Sequence, residues 1–139
     1  MKSLYSLIIA LAIVGCQKSE HAHHHDGNAT ESDSTNTILY NQVMDIHDEV
    51  MPKMEDLYNL KKDLQTRLAT ASEADKTNIE RKIAEIDSAS MMMEDWMHEF
   101  NPPADTTDKE QIRAYLESEM EKVKRVKEAM TEALKTGEN

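Results

Sequence analysis

From residue 37 to the end of the chain, apolar residues recur at steps of three and four, which is the spacing of amphipathic helices. Turn sequences divide this stretch twice, so we predict helices over residues 37–68, 73–100 and 108–134, and no strands. Both connections are short, and consecutive helices should therefore be antiparallel neighbours. The pattern predicts an all-α fold, an antiparallel three-helix bundle with long helices that forms one domain over residues 37–139.

The first predicted helix contains a proline and two neighbouring apolar seams. One seam is aliphatic. The second contains, at alternating steps of three and four, Met44, His47, Met51, Met54 and Tyr58. Pro52 has no N–H to donate to the Asp48 carbonyl, so it should kink this helix or divide it into two.

Capping sequences and breakers set the predicted ends of the other two helices. The capping pairs are Ser72 with Asp75 and Thr107 with Glu110. The breakers are Asn101-Pro102-Pro103 and Gly137. Such long, charged helices can also associate as a coiled coil, but their seams are short and mixed, so we favour an intramolecular bundle.

The first fifteen residues match a lipoprotein signal peptide. Lys2 is a basic start, the apolar run from Leu4 to Val14 is too short to span a bilayer, and Ile13-Val14-Gly15-Cys16 matches the bacterial lipobox. We therefore expect cleavage before Cys16 and attachment of acyl chains such as palmitate to it; the alternatives are an uncleaved anchor and a plain secretory signal. The expected location is the cell envelope, periplasmic or at the outer membrane, on a leaflet that the sequence leaves open.

Residues 16–36 have the composition of a disordered tether. They contain no periodic apolar residue and are rich in Ser, Thr, Asn and Asp, so burial cannot offset the entropy of ordering them. Four of these residues are histidines that together suit weak binding of Cu(II), Ni(II) or Zn: His21, His23, His24 and His25. The alternative is a polar tether whose histidines have no role.

Charge and cysteine content exclude several functions. Removal of residues 1–15 leaves 15 basic and 27 acidic side chains, a net charge of −12 with His neutral. Such a surface repels phosphates, so we expect no nucleic-acid binding. Most of these acids should be solvated helix faces. Cys16 is the only cysteine, and a lipid on its thiol leaves no thiolate ligand, nucleophile or disulfide.

Catalytic motifs are poorly represented. Asp95 and His98 make half of a di-iron carboxylate motif, which needs a second such pair and two more acids on four helices. The sequence has no haem attachment motif and no glycine-rich phosphate loop. We therefore expect that the protein is not an enzyme.

Two short windows concentrate methionine and histidine. They span residues 44–54 and 91–100, and antiparallel pairing puts both at the end of the bundle nearest residues 101–107. The same argument predicts His47 near Trp96 and Met93 near Tyr115.

Two interpretations of these windows stay open. In the first they form a soft-metal site for Cu(I) or Ag(I), because thioethers and imidazoles suit such ions. His47 and Met51, one helical turn apart, would bind one ion that the ring face of Trp96 covers. The candidate residues are His47, Met51, Met44, Met54, Met92, Met93, Met97, Trp96 and His98. In the second, the methionines only fill the core of a structural or protein-interaction module.

A resemblance to known proteins rests on the same windows. The motif His47-Asp-Glu-Val-Met-Pro-Lys-Met54, followed by Met93-x-x-Trp96-Met97-His98-x-Phe100, resembles a group of small lipoproteins from Bacteroidetes-type bacteria. Such sequences often carry the label "viral A-type inclusion protein". The resemblance covers most of residues 40–134 and implies a lipid-anchored helical protein. It brings no activity and no site residue with it.

Taken together, the sequence predicts a lipid-anchored, non-enzymatic helical protein of the bacterial cell envelope. Its expected function is to bind or buffer a soft metal, with Cu(I) as the candidate cofactor. The alternative is a structural or interaction module with a protein partner. In both cases the membrane is a partner through the lipid anchor.

Overall fold

The computed structural model describes residues 31–138, with side chains from Ser34 onward. This part of the chain is helical and contains no strand. Its elements are α1 (Glu31–Val50), α2 (Lys53–Leu68), α3 (Glu73–Glu99) and α4 (Lys109–Glu138). The all-α prediction is confirmed, and α1 with α2 corresponds to the first of the three predicted helices. The predicted signal peptide, Cys16 and the tether histidines lie outside the described residues.

The helices share one hydrophobic core in a bundle-like fold. α1 and α2 contribute four fully buried residues at a spacing of seven, which are Val43, Val50, Leu57 and Leu64. α3 and α4 contribute buried residues at steps of three and four, including Ile86, Ala89, Met93, Val123, Val126 and Met130. Apolar periodicity therefore directs one stripe of each helix inward, as expected for amphipathic helices.

Pro52 divides the first predicted helix, as its missing N–H suggested. The regular ladder extends to the Met51 N–H, which donates to the His47 carbonyl at 2.9 Å. Beyond it, Met54 and Glu55 donate to carbonyls only three residues back, those of Met51 and Pro52. The seven-residue spacing of buried side chains continues across this break, so α1 and α2 keep the same face toward the core.

The first helix begins earlier than predicted. α1 starts at Glu31 instead of residue 37, so residues 31–36, which were predicted as part of the tether, are helical. Asn36 is buried, and its amide donates to the Lys109 carbonyl at 3.0 Å. This contact with the first turn of α4 is a tertiary interaction, which local composition does not reveal.

Both ends of the last helix also differ from the prediction. Asp108, not Thr107, caps its start, because the Asp108 Oδ1 accepts from the Glu110 and Gln111 N–H groups. Gly137 does not end the helix; it lies buried inside α4, which runs to Glu138. A Cβ at Gly137 would lie 2.6 Å from Leu60 Cδ2, so this glycine permits a close approach of α4 to α2.

Among residues 31–138, no helix is both long and apolar enough to cross a membrane.

Candidate functional site

A row of aromatic rings lies at one end of the core, where α1, α3 and the first turns of α4 meet. The Phe100 ring centroid is 5.0 Å from that of Trp96, 6.1 Å from Tyr40 and 6.2 Å from Tyr115. The His47 ring continues the row, 5.7 Å from Trp96. These centroid distances are those of favourable tilted aromatic pairs, so the rings stabilise this end of the molecule by packing.

Trp96 is buried and held by a charged hydrogen-bond network. Its indole Nε1–H donates to Glu119 Oε2 at 2.9 Å, and Lys122 Nζ donates to Glu119 Oε1 at 2.9 Å. The Glu119 side chain is almost completely buried, whereas the Lys122 side chain is partly exposed. The carboxylate therefore fixes the plane of the indole and is itself balanced by one cation.

The hydroxyl of Tyr115 in α4 is hydrogen-bonded to the loop that connects α3 to α4. It accepts from the Asn101 N–H at 2.7 Å. Burial raises the pKa of Tyr115 above its ordinary value of 10.0, against the opposing effect of the Asn101 hydrogen bond. The hydrogen bond with Glu119 likewise raises the pKa of Lys122 above 10.5. Both protons are therefore held more tightly in the folded protein.

His47 contacts Asp48 through one ring nitrogen and Trp96 through its ring. Its Nδ1 lies 2.9 Å from Asp48 Oδ1, and because an ionised carboxylate only accepts, Nδ1 carries the proton. The lone pair of the neutral imidazole is then on Nε2. A carboxylate on one nitrogen is the usual way in which proteins orient a metal-binding histidine and raise its basicity. The side chain is 18% exposed and its ring lies against Trp96, so it is also held in position by packing.

The first window places Met44 and Met51 about one helical turn before and after His47. Met51 follows it by one helical turn, and the backbone bond from Met51 to His47 keeps that turn intact. Met44 precedes His47 by three residues and is half-buried. Met51 and Met54 are partly buried and pack against the core. These side chains are therefore intermediate between core and surface.

The second window is divided by the structure among different surroundings. Met93 is fully buried in the core, and Met92 lines a groove with Lys122 and Arg125 of α4. Met97 lies about 140° around α3 from Met92, toward the flank on which Asp87 contacts Lys61 of α2. His98 and Met91 are exposed. Helical rotation therefore separates Met97 from Met92, which lies beside α4.

The sequence predicted two contacts between neighbouring helices, His47 with Trp96 and Met93 with Tyr115. The first agrees with the structure and the second does not. His47 does contact Trp96. Tyr115, however, packs against Phe100, two helical turns beyond Met93. Asn101-Pro102-Pro103, which follow Phe100, are not helical. Because Tyr115 lies at the level of Phe100, α4 is displaced along its axis relative to the prediction.

Glu119 is the site residue that the sequence interpretation missed. It lies three residues after Leu116 and four before Val123, so it occupies a position of the buried α4 seam. A charged residue at a core position of an amphipathic helix is itself a signal, since such residues are almost never buried without a partner. The partner, Trp96, lies on another helix, 23 residues away along the chain.

Two further observations concern ligands and relatives. Among the described residues, no three His, Cys, Asp or Glu side chains are grouped as a metal site; thioethers are not among these residue types. Comparison of the chain with protein-family models, curated proteins and solved structures found no match.

Proposed function

We propose that this protein is a lipid-anchored, non-enzymatic protein of the cell envelope that binds one soft cation, Cu(I) or Ag(I). The proposed ligands are His47 Nε2 and the thioethers of Met51 and Met97, with Met44 as a further donor. The Trp96 ring face covers the ion. Met92, on the opposite flank of α3, and Met93, enclosed in the core, are left out of this ligand set.

One observation carries the proposal: the His47 ring contacts both Asp48 and Trp96. A proton donated from Nδ1 to the Asp48 carboxylate leaves the lone pair on Nε2. Imidazole nitrogen and thioether sulfur are together the ligands that Cu(I) prefers, whereas Mg²⁺ and Ca²⁺ require oxygen. A cation over the face of Trp96 gains a further attraction from the ring quadrupole.

The arrangement that we propose for the helices is an antiparallel three-helix bundle, with α1 and α2 as its first member. Contacts between α1–α2 and α3 support it, since Tyr40 contacts Phe100 while Lys61 contacts Asp87. As residue numbers rise on one element, they fall on the other. Contacts of α3 with α4 follow the same rule, because Phe100 meets Tyr115 and Ile86 lies near Gly137.

A competition titration tests the metal proposal. A soluble protein that begins at Asn28 omits Cys16 and the tether histidines, and it should take about one Cu(I) per chain from a chromophoric Cu(I) chelator. We expect His47→Ala with Met51→Leu to weaken binding by at least about tenfold, and Met130→Leu, a matched change in the core, to have no effect. Equal binding by the His47/Met51 variant would refute the site.

A second candidate function is a protein-interaction module, and one specific observation favours it. Tyr58 of α2 is 67% exposed and Met91 of α3 is 58% exposed, although both are large and apolar. Exposed aromatic and thioether side chains are enriched at binding surfaces. A photo-cross-linker placed at residue 58 in intact cells should then give one discrete adduct, whereas the same group at the exposed, polar Gln65 should give none.

A further inference from the structure

The methionines of α3 fall into two classes that differ in access to water. Met91, Met92 and Met97 are 58%, 36% and 38% exposed. Met93, between them on the same helix, is 0% exposed, and Met130 of α4 is also 0% exposed. Core packing accounts for the second class. Core packing does not by itself account for three thioethers within seven residues that each keep more than a third of their surface in water.

We propose that Met91, Met92 and Met97 are an oxidant-accepting modification site, which we call the exposed triad. Its substrate class is an aqueous hydroperoxide, with hydrogen peroxide as the simplest member. The proposal does not depend on metal binding, since it rests on the exposure of three thioethers and the burial of their neighbours.

The reaction at each residue is an oxygen-atom transfer. The thioether sulfur attacks one peroxide oxygen, an S–O bond forms and the O–O bond breaks. The sulfur loses two electrons and becomes a sulfoxide. The leaving hydroxide takes the proton of the transferred oxygen and departs as water, so one hydrogen peroxide is consumed for each methionine. Return to the thioether needs two electrons from a sulfoxide reductase.

The fold should tolerate this change at the triad and not at the fully buried methionines Met93 and Met130. A sulfoxide is more polar than a thioether, and at an exposed position its oxygen is directed into water and needs no protein partner. At Met93 or Met130 the same oxygen would be buried among aliphatic side chains without a hydrogen bond, which is strongly unfavourable. Within α3, access to peroxide and tolerance of the product therefore coincide in the same three residues.

Peptide-resolved mass spectrometry of the full chain in detergent tests the proposal, with hydrogen peroxide as the probe. We expect Met91, Met92 and Met97 each to oxidise at least about tenfold faster than Met93 and Met130, following their exposure. The helical circular dichroism signal and the thermal midpoint should stay unchanged while the triad is oxidised. Oxidation of Met93 at the rate of its neighbours, or unfolding at three oxygens per chain, would overturn it.

Two variants test the same assignment through total peroxide consumption, which does not depend on comparing the oxidation rates of individual methionines. Met91→Leu/Met92→Leu/Met97→Leu should lose most of the peroxide consumption of the folded domain. Met93→Leu should consume peroxide as the unaltered protein does. If both variants consume peroxide equally and at the unaltered rate, the exposed triad is not the site.

Discussion

Glu119 shows how one buried carboxylate positions an aromatic side chain at the end of the bundle. Its two oxygens accept from the Trp96 indole and the Lys122 ammonium, at 2.9 Å each. Removing the acceptor would leave a buried N–H without a partner, and such a loss usually costs about 1–3 kcal/mol. The interaction therefore links α3 to α4 beside the proposed metal site.

Substitution of Glu119 tests this link. We expect Glu119→Ala to lower the free energy of unfolding by about 2–3 kcal/mol, and Glu119→Gln by about 1 kcal/mol because it keeps one acceptor for the indole. Urea denaturation measures both. Glu121→Ala removes an exposed carboxylate that pairs with Lys124 and should change stability by less than about 0.5 kcal/mol. Equal losses at residues 119 and 121 would contradict the network.

Gly137 gives a second prediction for a single residue. Its added Cβ would lie 2.6 Å from Leu60 Cδ2 and 3.2 Å from Leu60 Cγ, so α4 or Leu60 must move. Overpacking of this kind costs about 1–3 kcal/mol, and the better helix propensity of alanine offsets about 1 kcal/mol. We expect Gly137→Ala to destabilise the fold by up to about 2 kcal/mol in urea denaturation. A more stable variant would show that Gly137 only lowers helix propensity.

At the scale of helices, Pro52 interrupts hydrogen bonding without changing which face is buried. Val50 and Leu57 lie on either side of it, seven residues apart and fully buried. Pro52 itself has helical dihedral angles, with φ −59° and ψ −28°. An uninterrupted helix would therefore fit the same core with little movement.

Replacement of Pro52 by alanine should restore the helix. Pro52→Ala gives back the N–H that can donate to the Asp48 carbonyl, and we expect more helix by circular dichroism. The unfolded chain becomes more flexible, which opposes the gain by about 0.4–1 kcal/mol, so stability should rise by about 0–2 kcal/mol. Pro103→Ala, outside the helices, is the control. A loss above about 1 kcal/mol in Pro52→Ala would mean that packing requires the break.

The outline of the helices was predictable from the sequence, because apolar spacing and the breakers at Pro52 and Asn101-Pro102-Pro103 are local signals. The early start of α1 was not, since it accompanies the contact between Asn36 and the Lys109 carbonyl. The sequence also did not predict that Gly137 packs closely against Leu60, because a glycine that ends a helix and a glycine that permits close packing have the same local sequence pattern. For the candidate site, the pairing of His47 with Trp96 followed from helix register. The separation of Met92 from Met97 depends on how α3 is rotated in the bundle.

At the scale of the whole molecule, the protons of Tyr115 and Lys122 make the free energy of unfolding depend on pH in the alkaline range. The pKa values of Tyr115 and Lys122 are both raised in the folded protein, by burial and by the Glu119 hydrogen bond respectively. The folded state therefore binds these protons more tightly than the unfolded state. Their contribution is complete below about pH 10 and is lost as pH rises through the folded pKa values.

Denaturation at several alkaline pH values measures this dependence. The free energy of unfolding should fall between about pH 10 and 12, more steeply in the unaltered protein than in Tyr115→Phe, which lacks one of the two groups. The Tyr58→Phe variant, altered at an exposed tyrosine, should keep the full slope. The same slope in Tyr115→Phe would exclude a contribution from the buried hydroxyl.

The central claim, that His47 and Trp96 share one soft-metal site, is tested most directly by the emission of Trp96, the only tryptophan of the chain. Ag(I) is added to the protein that begins at Asn28 while the fluorescence is recorded. An ion over the ring face should change the emission until about one equivalent is bound, with no such change in His47→Ala. No saturable change, or an equal change in His47→Ala, would contradict the claim.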